Sequence, residues 1–134
     1  MAITKHLSKL GVLKPGPLPT VNFTGRWKNE LASEMEIEAK TNGEVKGTYR
    51  TNVGAPEPTE EFDLVGFASG DLISFTVNFG KYGSLTAWVG QHTVVNKVEQ
   101  LNTLWHLAKN VEDTEEPDKL WSAVLAGADE FTRV

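Results

Sequence analysis

The chain has 134 residues with no cysteine, four tryptophans and twelve glycines, and thirteen basic against eighteen acidic residues give it a formal net charge of −5. This length predicts one domain, large enough to bury a core without covalent staples. The missing cysteines exclude disulfides, thiolate metal sites and cysteine nucleophiles, the acidic balance argues against nucleic-acid binding, and no apolar run approaches the roughly 18–20 residues of a membrane-spanning helix.

Residues 1–22 hold Lys5, Lys9 and Lys14 and no acid, so every acidic residue lies beyond them. The segment runs into Lys14-Pro15-Gly16-Pro17-Leu18-Pro19, which suits neither a regular helix nor a central strand. It reads as a flexible tail before a domain over 23–134. It has lysines like the start of a signal peptide but not the apolar h-region that would follow. Phe23–Glu30 opens a series of strands. In Ser33–Ala39, Met35, Ile37 and Ala39 alternate with three glutamates, the period-two pattern of a half-buried strand. Asn42-Gly43 is a strong hairpin signal. Glu44–Thr51 alternates again, with Val45, Gly47, Tyr49 and Thr51 on one side. Asn52–Glu61 is a Gly/Pro/Glu-rich loop.

Further strands are expected over Phe62–Ala68, Leu72–Phe79, Ser84–His92 and Val98–Ala108, with turns at Ser69-Gly70-Asp71, Gly80–Gly83 and Asn96-Lys97. Asn110–Asp118 is an acidic loop, Lys119–Leu125 has room for one helical turn, and Ala128–Val134 is the last strand. Eight hairpin-linked strands without a long crossover predict an all-β, eight-stranded antiparallel up-and-down barrel, with a two-sheet sandwich as the other arrangement the pattern allows. Such a barrel has an interior wide enough for side chains or one small ligand.

Two features depart from a plain filled barrel. The inward register carries Ser33, Tyr49, Thr51, Ser84, Thr86 and Asp129, polar groups that need partners inside the protein or from a ligand. The Val98–Ala108 strand is apolar on both sides, since Val98 and Leu104 oppose Leu101 and Leu107, which implies burial of an outer face against another subunit. His6, His92 and His106 fall at unrelated positions, so no metal site is expected. None lies on the inward register near Ser84 or Asp129, so a hydrolase is disfavoured.

Thr24-Gly25-Arg26-Trp27-Lys28-Asn29-Glu30-Leu31 resembles the opening strand of the avidin/streptavidin family. The resemblance continues through Gly47-Thr48-Tyr49, Ser84–Gln91, Leu101–Trp105, and Trp121 to Thr132, and so spans residues 23–134. It implies a non-enzymatic, high-affinity biotin-binding barrel with no cofactor. By position, Asn29, Ser33 and Tyr49 would donate to the ureido oxygen of biotin, while Asp129 and Thr51 would accept its two N–H groups. Thr86 would meet the thioether sulfur. Phe79, Trp88 and Trp105 would wall the bicyclic ring, with Leu31, Val53 and Leu107 completing the apolar lining. Ser84 and the Val53-Gly54-Ala55 loop would meet the carboxylate tail. Trp121 would lid the pocket of a neighbouring subunit.

Phe79 stands where the family usually has Trp, and Ala55 where some members have a polar side chain. The resemblance further implies a homo-oligomer, a tetramer in preference to a dimer, and export to a secreted or periplasmic location. A barrel carrying another small apolar ligand, as lipocalins do, is the alternative, and the polar inward set speaks against it.

Overall fold

The computed structural model describes residues 20–54, 56–112, 114 and 124–134. Its eight strands are β1 Gly25–Asn29, β2 Glu34–Ala39, β3 Glu44–Arg50, β4 Phe62–Ser69, β5 Leu72–Asn78, β6 Ser84–Val95, β7 Val98–Lys109 and β8 Val124–Arg133. Each pairs antiparallel with the next, and β1 pairs with β8 through Trp27↔Arg133 and Asn29↔Phe131. The sheet is therefore a closed barrel with no free edge, and the sandwich is set aside.

Alternation in the sequence becomes alternation across the barrel wall. Met35 and Ile37 on β2, Val45 and Tyr49 on β3, and Ile73, Phe75 and Val77 on β5 are all buried, while the glutamates of β2 face outward. Turn chemistry sets the registers. Asn42 Oδ1 accepts the Glu44 N–H at 3.0 Å, and Gly43 alone takes a positive φ, 92°, so this hairpin needs only one left-handed residue. Between β6 and β7 both Asn96 and Lys97 are left-handed, at φ 51° and 67°. They form a two-residue connection that lets Val95 pair with Val98.

That tight connection is why β6 runs on to Val95, past the expected end at His92. The larger correction is β8, which starts at Val124, not Ala128. Leu125-Ala126-Gly127-Ala128 shows no alternation in sequence, yet it pairs with Leu107, His106, Trp105 and Leu104. The expected helical turn over 119–125 therefore gives way to strand at its last two residues. Its first five, with most of the expected 1–22 tail and the greater part of the acidic loop, lie outside the described residues. The Gly80–Gly83 turn is a short 3-10 helix over Gly80–Tyr82, closed by left-handed Gly83.

One end of the barrel is sealed. Trp27 is completely buried there, and its Nε1 donates to the Phe23 carbonyl at 2.9 Å. The Arg133 guanidinium lies 4.2 Å from the Trp27 ring centroid, donates to the Thr24 and Asn22 carbonyls, and grips both Glu99 oxygens at 2.8 and 3.1 Å. Phe23, Met35, Leu101 and Phe131 join Trp27 in the buried core. The opposite end gathers the C-terminal ends of β1, β3, β5 and β7 and the N-terminal ends of the even-numbered strands, and it stays open.

Candidate functional site

The open end holds a cavity of about 500 Å³. Of the sequence-predicted site residues, Asn29, Leu31, Ser33, Tyr49, Thr51, Val53, Gly54, Phe79, Ser84, Thr86, Trp88, Trp105, Leu107 and Asp129 all line it. Ala55 and Trp121 lie outside the described residues.

Three of the lining residues present hydrogen-bond donors. Asn29 ends β1, and its Oδ1 accepts the Leu31 and Ser33 N–H groups at 3.0 and 2.9 Å. The side-chain oxygen is thereby used up by the β1–β2 turn, and the amide NH₂ is left as a donor. Ser33 Oγ accepts the Asn52 N–H at 2.9 Å and keeps its own proton to give. Tyr49 is buried on β3. Burial first, and then the charges of Asp129 and Glu30, raise its phenol pKa, with the neighbouring Ser33 hydroxyl opposing them. The phenol therefore stays protonated and remains a donor.

Two further lining residues offer acceptors. Asp129 on β8 is 8% exposed, and its Oδ2 takes a 2.8 Å hydrogen bond from Trp88 Nε1. Burial raises its carboxyl pKa, the Trp88 bond resists that, and Glu30 adds to the rise. Burial alone would also lift Glu30, but backbone N–H bonds, foremost that from Glu130, together with Asp129, hold it below the ordinary range. Thr51 Oγ1 donates to the Val53 carbonyl and accepts the Val53 N–H, so one lone pair remains. Thr86 is different. Its buried Oγ1 is the one such side-chain polar atom with no hydrogen-bond partner among the described residues.

Aromatic rings form the walls. Trp88 stacks on Phe75 with centroids 5.0 Å apart and tilts against Tyr49 at 5.1 Å. Phe79 is braced edge-on by Phe62 at 4.9 Å and Tyr49 at 6.1 Å. Trp105 pairs with Trp88 on one side and with Gly127 on the other. A Cβ at Gly127 would lie 2.4 Å from the Trp105 ring, so the glycine is what lets the indole lie across β8.

The avidin family's sequence profile matches residues 18–134. Avidin of Gallus gallus is 33% identical, over 96% of this chain and 89% of its own. The chain belongs to the avidin family. Among solved structures, xenavidin superposes with a TM-score of 0.74 at 32% identity, over 86% of this chain and 99% of that one. The rhizavidin–biotin complex superposes at 0.70, over 83% of this chain and 99% of that one, and at 24% identity it bears on the fold alone. Avidin-family proteins are non-catalytic binding proteins, usually extracellular.

The avidin-family cavity also includes Pro56, Tyr82, Lys109 and Leu125, which sequence reasoning did not place there. Tyr82 sits in the 3-10 turn, and its hydroxyl donates to Glu60 Oε1 at 2.6 Å. Together with the Glu57 N–H and the Lys81 ammonium 3.5 Å from Glu60 Oε2, it holds the Glu60 carboxyl below its usual range and ties the β3–β4 loop to the cavity mouth. Lys109 and Leu125 were legible only once β7 and β8 had their full lengths, because both lie on the inward register at strand ends beyond the expected boundaries. Glu30 and Gly127 act from behind the lining, and a single sequence carries no signal for either.

Proposed function

We propose that this chain binds biotin tightly and non-covalently in the open-end cavity. The observation that supports this most directly is the presence in one cavity, between aromatic walls, of three donors, Asn29, Ser33 and Tyr49, and the acceptors Asp129 and Thr51. A cyclic urea has one carbonyl oxygen flanked by two N–H groups and matches that arrangement, whereas a fatty acid or retinoid would leave the same groups unpaired at a cost of about 1–3 kcal/mol each. Thr86 would meet the ligand's sulfur. Phe79, Trp88 and Trp105 would enclose the ring system, with Leu31, Val53 and Leu107 around it. Ser84 and the backbone of the Val53-Gly54-Ala55 loop would meet the tail.

The same proposal includes a homo-oligomer. On the outer face, Leu85, Ala108 and Val124 lie abreast across β6–β8, and Val89, Leu104 and Ala128 form a second row. Val89 and Leu104 are 62% and 66% exposed in the single chain. An apolar sheet face of this kind is suited to burial against a second copy. We assign the tetramer over the dimer because Trp121 would then lid a neighbour's cavity, and we place the protein outside the cytoplasm, with residues 1–22 as a tail beyond the barrel.

A thermal melt with and without biotin tests the ligand. Ligand at a thousand times its Kd adds about 4 kcal/mol to the native state, a shift of many degrees for a domain of this size. An unchanged melt at excess biotin refutes the reading. Light scattering during size exclusion tests the tetramer, and a monomer mass refutes it.

A further inference from the structure

The cavity has a polarity along its depth that the ring-binding groups leave unused. Asp129 is the one acidic residue among its described lining residues, and it lies deep, bonded to Trp88. Lys109 is the one basic residue among them, and it stands at the mouth as the last residue of β7. It shares the inward register of Trp105 and Leu107, so the strand aims Trp105, Leu107 and Lys109 into one space from floor to rim.

Its position is well fixed. Lys109 pairs directly with Ser84 across β6–β7. The pair is locked just beyond the ladder by the Asn110 N–H donating to the Gly83 carbonyl at 2.7 Å, and by the Phe79 N–H donating to the Ser84 carbonyl at 3.0 Å. Directly opposed residues have Cβ atoms about 4.5–5.5 Å apart, so a hydroxyl and an ammonium reach one anion between them. Among the described residues no carboxylate bonds to Lys109, and Glu60, which braces Tyr82 at the mouth, is engaged by Tyr82 and Lys81.

We propose that Lys109, with Ser84 beside it, pairs with the anionic tail of the ligand, so that this site prefers a carboxylate-tailed ligand to its neutral-tailed counterpart. The inference rests on the biotin reading and adds to it a charge requirement at the mouth. A ligand with N–H donors at its head and a carboxylate at its tail would lie along the Asp129-to-Lys109 direction with both ends complemented. A neutral tail leaves the ammonium to solvent and forgoes the attraction.

The test compares biotin with biotinamide on the full-length protein, by competition against a fluorescent biotin conjugate at low and high salt. The expected preference for biotin is about three- to tenfold at low salt, between a screened surface pair and a buried charge-assisted bond, and it shrinks as salt rises. Lys109→Met should erase the preference and Lys109→Arg should retain it. Equal affinities of the unaltered protein for the two ligands overturn the inference while leaving the biotin reading intact, as does a preference that survives Lys109→Met. If neither ligand binds, the biotin reading and the inference fall together.

Discussion

The bond from Trp88 Nε1 to Asp129 Oδ2 is testable without any ligand. Trp88→Phe removes the donor but keeps a ring to stack on Phe75, 5.0 Å away in the native protein. Trp88 lines the cavity, so the volume it gives up adjoins that open space. The lost hydrogen bond should therefore dominate. A bond to an ionised group contributes about 1.5–3 kcal/mol, and a neutral one about 0.5–1.5 kcal/mol.

The pH dependence follows from the sign of the Asp129 shift. Its folded pKa lies above the ordinary 3.8 because burial disfavours the charged form. The ionised carboxylate thus subtracts stability at neutral pH, and this cost fades as pH falls through the folded pKa toward 3.8. Without the Trp88 donor the folded pKa climbs further, so the penalty of Trp88→Phe should be full near neutrality and shrink in acid. Urea titrations at one protomer concentration, over a pH series, would measure it. Asp129→Asn supplies the control. It should stabilise the unliganded protein at neutral pH, and within it Trp88→Phe should cost only the neutral-bond amount. A penalty that is the same in both backgrounds, or flat with pH, refutes an ionised Asp129 held by Trp88.

Three further outcomes are expected. Thr86→Val keeps the shape and removes the unpartnered hydroxyl, so the ligand-free melting temperature should rise in a thermal melt, by about 1 kcal/mol of stability; a fall would mean the hydroxyl is satisfied. Gly127→Ala drives a methyl against the Trp105 ring, which should cost about 1–3 kcal/mol, shift tryptophan fluorescence and weaken biotin binding; unchanged fluorescence would show that the indole does not need the glycine. Glu99 is held at a pKa of about 2, first by the Arg133 bond and then by His92. Its stabilisation is present above 4.5 and lost as pH falls toward 2. Arg133→Met should flatten most of that slope in acid melts, the partly exposed ion pair itself contributing no more than about 1 kcal/mol at neutral pH.

What was readable in advance follows from where physical constraints are local. β2, β3 and β5 were legible because their inner and outer faces meet different environments, which writes a period of two into the chain. The start of β8 was not, because its outward residues meet apolar surroundings in the proposed assembly and its inward Gly127 answers to Trp105, a residue 22 positions earlier. The lining from Asn29 to Asp129 was visible through family resemblance. Lys109 and Tyr82 were not, since their importance depends on strand ends and a loop brace that only the folded register brings together.

The cavity's polar groups share a construction that bears on how such a site can be tight. Four of them are bonded to the protein on one side and left with capacity on the other. Asn29 gives its oxygen to the β1–β2 turn, Ser33 gives a lone pair to Asn52, Thr51 closes on Val53, and Asp129 commits Oδ2 to Trp88. Those internal bonds fix direction, so a ligand finds groups already oriented and need not immobilise them itself, a saving of about 0.5–1.5 kcal/mol per side chain. They also keep the empty cavity from costing the fold a full set of unpaired polar groups. Thr86, with no internal partner, is where that compromise is incomplete, so it is the position at which ligand-free stability and ligand affinity should move in opposite directions.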